Sequence, residues 1–143
     1  MKPVEILLAE DSNADAQLIR EALEENRFYT HLSHVRDGVE ALAYLYRQAP
    51  FSDAPTPDLL LLDLNMPRKD GREVLAEIKE DPRLRWLPVV VLTTSAAESD
   101  LVDSYMHHAN AFLTKPVDFE EFMDLIRRVG DFWLTAVKLP PHG

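Results

Sequence analysis

The chain has 143 residues, enough for one domain with a sizeable core. Its 25 acidic and 15 basic residues give a formal net charge of −10, which repels nucleic-acid phosphates and anionic membranes and argues against both as partners. It contains no cysteine, which excludes disulfides, thiol catalysis and cysteine-held metals.

The first apolar run, Ile6 to Ala9, is too short for a signal peptide and meets two acids at once. Nothing approaches the length of a transmembrane helix. These features point to a soluble, cytoplasmic protein.

Val4 to Glu10 reads as a short buried strand. Asp11 or Ser12 then caps a helix to about Asn26, with Leu18, Ile19, Ala22 and Leu23 on one face. His31 to Val35 is a weaker strand. Asp37-Gly38 opens a second helix carrying Val39, Leu42, Ala43 and Tyr46. Pro50, Pro55 and Pro57 mark an extended loop. Asp58 to Asp63 is the clearest central strand, since its consecutive leucines suit burial on both faces of a parallel sheet. A third helix holds Val74, Leu75 and Ile78 and ends near Asp81-Pro82. Pro88 to Thr93 is a β-branched fourth strand. Glu98 to Ala109 reads as a short helix, and Ala111 to Thr114 as a fifth strand stopped by Lys115-Pro116. Asp118 caps a last helix striped with Phe119, Phe122, Ile126, Val129 and Trp133. A tail over about 136–143 ends the chain, with no output domain expected, so residues 1–143 read as a single domain.

Five βα repeats imply a parallel sheet with helices on both faces. In such folds the working site lies outside the carboxyl ends of the strands. Those ends carry Glu10-Asp11, Asp63, Thr93-Thr94-Ser95 and Lys115. Adjacent strands would bring three carboxylates, hydroxyls and one ammonium to a single edge. Carboxylates so placed repel one another and call for a cation, and oxygen donors without His or Cys suit Mg²⁺. An Asp carboxylate can also act as a nucleophile and form an aspartyl phosphate. The metal and Lys115 would neutralise the transferring group, and Thr93 would hydrogen-bond one of its oxygens. Singly, each signal is weak: an acid after a strand is commonly a cap, a lone Asp a turn residue, and a strand-end Thr mere β-propensity. Their joint placement at four strand ends is far harder to obtain by accident.

With Glu10-Asp11, Asp63 in DLNMPRKDG, Thr93 in PVVVLTTS and Lys115-Pro116 in FLTKPV, nearly the whole chain resembles the receiver domain of two-component response regulators. The resemblance implies a flavodoxin-like (βα)5 fold, doubly wound, with a five-stranded parallel sheet of order 2-1-3-4-5. It implies Asp63 as the phosphoacceptor and Lys115 as its partner. Mg²⁺ would be held by Asp11, Asp63 and the Asn65 backbone carbonyl, with Glu10 acting largely through water. Thr93 and Phe112 would form the switch. The Pro-rich insert, DGREVLAEIKEDPRLRWLPVVVLTTS and VDFEEFMDLIRRVGDFWL resemble the stand-alone regulators paired with phytochrome-type histidine kinases.

Three positions depart from the family pattern. Phe112 stands where Tyr is the more familiar switch, Thr94 where a smaller residue is usual, and His108 where this group often has Gly. His107-His108 is not read as a metal site, because adjacent residues do not share a helix face. The resemblance also implies that a sensor histidine kinase docks near the first helix, whose face there includes Ala14, Gln17 and Leu18, and that a homodimer forms through the fourth helix, fifth strand and fifth helix, for which the exposed apolar candidates are Leu101, Tyr105, Phe132 and Trp133.

Rival readings fare less well. A haloacid-dehalogenase-type phosphatase needs an acid two positions after its nucleophile, where this chain has Asn65. An FMN carrier needs a Ser/Thr/Gly-rich phosphate loop, where this chain has Glu10-Asp11. A phosphorylation-independent adaptor would have no use for the complete acceptor set.

Overall fold

The computed structural model describes residues 3–25, 29–93, 111–114, 120, 121 and 124. Its elements in chain order are β1 (Val4–Ala9), α1 (Asn13–Glu25), β2 (Thr30–Val35), α2 (Gly38–Leu45), β3 (Leu59–Asp63), α3 (Gly71–Glu80), β4 (Val89–Thr93) and β5 (Ala111–Thr114). The strands form one five-stranded sheet in the order β2-β1-β3-β4-β5, every pair parallel: the alternation of elements predicts the parallel sheet, and the family resemblance its order. Four strands differ from the predicted bounds by one residue at one end, and β5 has the predicted bounds. The predicted helix over 98–109 lies outside the described residues, as does nearly all of the last helix.

β3 lies between β1 and β4, and its four leucines are buried on both faces. Leu59 and Leu61 pack toward α1 with Ile19, Ala22 and Leu23. Leu60 and Leu62 pack on the opposite face with Val74, Leu75 and Ile78 of α3 and Ala41 and Leu42 of α2. Each buried leucine contributes roughly 2 kcal/mol of transfer free energy. The continuous apolar run is therefore required by the fold, since neither face of β3 meets water.

The helices begin where their caps dictate. The Ser12 Oγ accepts the Asp15 N–H at 3.2 Å, so Ser12, rather than Asp11, caps α1. Asp70 and Glu73 form a reciprocal capping box at the start of α3. In α2, Asp37 accepts the Glu40 N–H at 2.8 Å.

The inward face of α2 corrects the sequence reading. Gly38, Ala41, Leu42 and Tyr44 are buried, Ala43 and Tyr46 are only partly so, and Val39 is 39% exposed. The rotation of this helix is set by Gly38. Its N–H donates to the Lys69 carbonyl at 3.0 Å, and a Cβ there would meet that oxygen at 2.1 Å. With Gly38 turned inward, the buried positions follow at three and four residues, and Val39 faces solvent.

The far ends of α2 and α3 are tied together. The Tyr46 hydroxyl donates to the Asp81 Oδ2 at 2.7 Å, and Arg83 pairs with the same carboxylate at 3.1 Å and lies over the Tyr46 ring. Hydrogen bonds from Arg83 first, and from Tyr46 second, lower the Asp81 pKa from the usual 3.8 to about 2. A depressed carboxylate stabilises the fold above its unfolded value, and that contribution is lost as pH falls through about 2. Tyr46→Phe is expected to raise the Asp81 pKa toward 3.8 without reaching it, because the Arg83 bonds persist. Carboxyl carbon shifts followed through acid titration measure this; an unmoved midpoint would refute it.

Candidate functional site

β1 and β3 are parallel neighbours in register, with Ala9 opposite Leu62. The residues that follow, Glu10 and Asp63, therefore arrive at the same edge of the sheet. One carboxylate oxygen each from Glu10, Asp11 and Asp63 lie within 4.8 Å of one another. Glu10 and Asp63 are buried, at 0% and 1% exposure, while Asp11 is exposed and opens the cluster to solvent. Three carboxylates at this spacing repel, and a cation among them converts that repulsion into attraction. The donors are all hard oxygens, and one side is open to water and phosphate. This set fits a divalent cation of the Mg²⁺ class.

Local geometry holds the cluster. The Asn65 N–H donates to the Asp63 Oδ1 at 3.1 Å, fixing the rotation of that carboxylate at the strand end. The loop after β3 closes on itself where the Gly71 N–H reaches the Leu64 carbonyl at 3.0 Å. It is tethered to α2 by the Gly38–Lys69 bond and by Arg68, whose Nη1 lies 3.1 Å from the Asp37 Oδ2. Arg68 has a φ of 67°, a left-handed conformation that this ion pair helps to hold. The loop after β1 is held from β2 and the turn that follows it. The Glu10 N–H donates to the Val35 carbonyl at 3.0 Å. His34 Nε2 donates to the Glu10 carbonyl at 2.6 Å, which sets its tautomer. Arg36 donates Nη2 to the Asp11 carbonyl at 3.2 Å and Nη1 to the Asn13 Oδ1.

Thr93 ends β4 and is fully buried, one strand away from Asp63. Phe112 lies opposite Val91 on β5 and is partly buried against the core face shared with α2 and α3. The structure thus brings together Glu10, Asp11 and Asp63 and puts Asn65, Thr93 and Phe112 on the same or adjoining elements. Lys115, Thr94, His107, His108, Leu101, Tyr105, Phe132 and Trp133 lie outside the described residues.

Sequence reasoning did not single out His34, Arg36 or Arg68. A polar residue near a strand end carries no pattern of its own, and its targets here are backbone carbonyls or a residue 31 positions away. Asp37-Gly38 was legible only as a helix start, not as a brace.

Among the described residues no helix is long and apolar enough to cross a membrane. The response regulator receiver domain matches residues 6–127. Response regulator Rcp1 of Synechocystis sp. is 47% identical over 138 residues, spanning 96% of this chain and 94% of that protein. The phosphorylated cyanobacterial phytochrome response regulator RcpA superposes with a TM-score of 0.80 at 46% identity, over 94% of this chain and 96% of that one. The Mn²⁺-bound form of Rcp1 gives a TM-score of 0.80 at 47% identity, over 97% of this chain and 100% of that one. With its sheet order, its strand-end acids and these relatives in agreement, the chain belongs to the response-regulator receiver family of two-component signalling, and it is related to the phytochrome response regulators.

Proposed function

We propose that Asp63 accepts a phosphoryl group from a sensor histidine kinase with Mg²⁺ bound at Glu10, Asp11, Asp63 and the Asn65 carbonyl. The observation that carries this is the convergence of the Glu10, Asp11 and Asp63 carboxylates within 4.8 Å at one sheet edge. The chemistry is a displacement. A carboxylate oxygen of Asp63 forms a bond to phosphorus as the bond from phosphorus to the donor's imidazole nitrogen breaks, and the imidazole leaves. The cation supplies charge neutralisation on the transferring group. Lys115 pairs with the product phosphoryl group, Thr93 hydrogen-bonds one of its oxygens, and Phe112 packs inward behind Thr93 as the switch. Phe112 lacks a hydroxyl, so its outward and inward states differ only by packing and solvation.

The donor we favour is a phytochrome-type histidine kinase, because the relatives over most of the chain include the cyanobacterial phytochrome response regulator RcpA. The protein acts in the cytoplasm, as an acceptor rather than an enzyme on a separate substrate. Asn65 speaks against phosphatase chemistry, because an amide at that position cannot protonate a leaving group.

Intact mass after incubation with acetyl phosphate, with and without Mg²⁺, tests the acceptor reading. One phosphoryl adduct that requires Mg²⁺ is expected. No adduct under any condition would leave an adaptor working without phosphorylation. Signalling then proceeds through a homodimer formed by the fourth helix, fifth strand and fifth helix. Trp133→Ala is expected to weaken self-association while leaving phosphorylation intact, and sedimentation showing an unchanged dimer would overturn that face.

A further inference from the structure

Asp11 differs from the other two acids in what holds it. Glu10 and Asp63 are buried among strands, whereas Asp11 is exposed and lies beyond the end of β1. Packing does not fix its carboxylate. The peptide after Asp11 is held on its N–H side by Ser12, which donates to the Glu10 Oε2 at 3.4 Å, and on its carbonyl side by Arg36, in the two-residue turn between β2 and α2. Arg36 forks across Ser12, one arm on the Asp11 carbonyl and the other on the Asn13 side chain. The next two residues, Asp37 of the turn and Gly38 at the start of α2, hold the other acid-bearing loop, Asp37 through Arg68 and Gly38 through the Lys69 carbonyl.

We propose that Arg36 is a positioning residue for the divalent-cation site, acting through the Asp11 peptide, and that the Arg36-Asp37-Gly38 segment braces both loops that carry its ligands. This rests on the reading of Glu10, Asp11 and Asp63 as a cation site. Fixing the peptide plane after Asp11 restricts the rotation that would swing its side chain away from Glu10 and Asp63. A guanidinium suits the task because it is planar and can donate to two acceptors at once.

Charge and geometry predict opposite signs for the loss of Arg36. As a cation near a cation site, Arg36 repels the incoming metal, so a purely electrostatic role predicts tighter binding once it is removed. A positioning role predicts weaker binding. Groups that orient metal ligands typically change affinity by 10–100-fold when they are removed.

The experiment is titration of the full metal-free chain with Mn²⁺, following free Mn²⁺ by electron paramagnetic resonance, for the native chain, Arg36→Met, Asn13→Ala and Asp11→Asn. Urea unfolding in EDTA provides the metal-free stability of each. Arg36→Met is expected to bind Mn²⁺ about tenfold more weakly, at the lower end of that range. Asn13→Ala removes one arm's acceptor without changing charge, and a smaller loss than that of Arg36→Met is expected, since the arm on the Asp11 carbonyl remains. Unchanged or tighter binding by Arg36→Met overturns the proposal, whatever happens to its stability. If Arg36→Met does not fold, Asn13→Ala decides, and unchanged affinity there overturns it. Asp11→Asn separates the two readings. If it binds as tightly as the native chain, the cation site itself is wrong. If it loses binding while Arg36→Met keeps it, only the role of Arg36 fails.

Discussion

Asp63→Asn is expected to abolish the acetyl-phosphate adduct while leaving the fold intact and making the metal-free protein more stable. The amide has the same shape as the carboxylate, and its oxygen can still accept the Asn65 N–H that Asp63 accepts at 3.1 Å. It has no ionised oxygen with which to attack phosphorus. The gain in stability comes from removing one of three like charges that lie within 4.8 Å of one another. With partial solvent screening this is on the order of 1 kcal/mol. Added Mg²⁺ should reverse the order. The native chain gains stability from binding the metal, and the variant, short of one ligand, gains less. Thermal unfolding in EDTA and again in excess Mg²⁺ checks this crossing. A variant less stable than the native chain in EDTA would mean that the hydrogen bonds of Asp63 outweigh the repulsion.

The second large effect is expected at Gly71. Alanine in a helix is normally favoured over glycine by up to about 1 kcal/mol. At Gly71 a Cβ would lie 2.3 Å from the Asp63 carbonyl oxygen and 2.8 Å from the Leu64 Cα. Both are backbone atoms and cannot rotate aside. Either α3 retreats from the sheet or the end of β3 moves, and Asp63 sits at that end. Gly71→Ala is therefore expected to cost about 3 kcal/mol, the upper end of the usual range for a forced core overlap, and to slow phosphoryl acceptance as well. Urea unfolding and the rate of adduct formation measure the two effects separately. A stabilised variant would show that helix propensity prevails and that the contact at Asp63 is soft.

The same contact explains part of what the sequence conveys. A helix after the β3 loop is visible from the apolar spacing of Val74, Leu75 and Ile78, whereas its capping box at Asp70 and Glu73 emerged only with the structure. That Gly71 must be glycine is not visible, because the atoms it would strike belong to residues seven and eight positions back, brought near by a closed loop.

The order of elements, the parallel sheet and the three acids were legible from the sequence, and for one reason. A strand buried on both faces needs an unbroken apolar run, and the polar residue that ends the run marks the edge of the sheet. Leu59 to Leu62 followed by Asp63, and Ile6 to Ala9 followed by Glu10, state this directly. The tertiary structure alone decided the rotation of α2, which turned Val39 outward and Gly38 inward. It also decided the brace formed by His34, Arg36 and Asp37 around the acid-bearing loops. Apolar periodicity is written along the chain and can be read there. A hydrogen bond from a side chain to a distant carbonyl has no periodicity, and it exists only once the sheet has brought β1, β2 and β3 side by side.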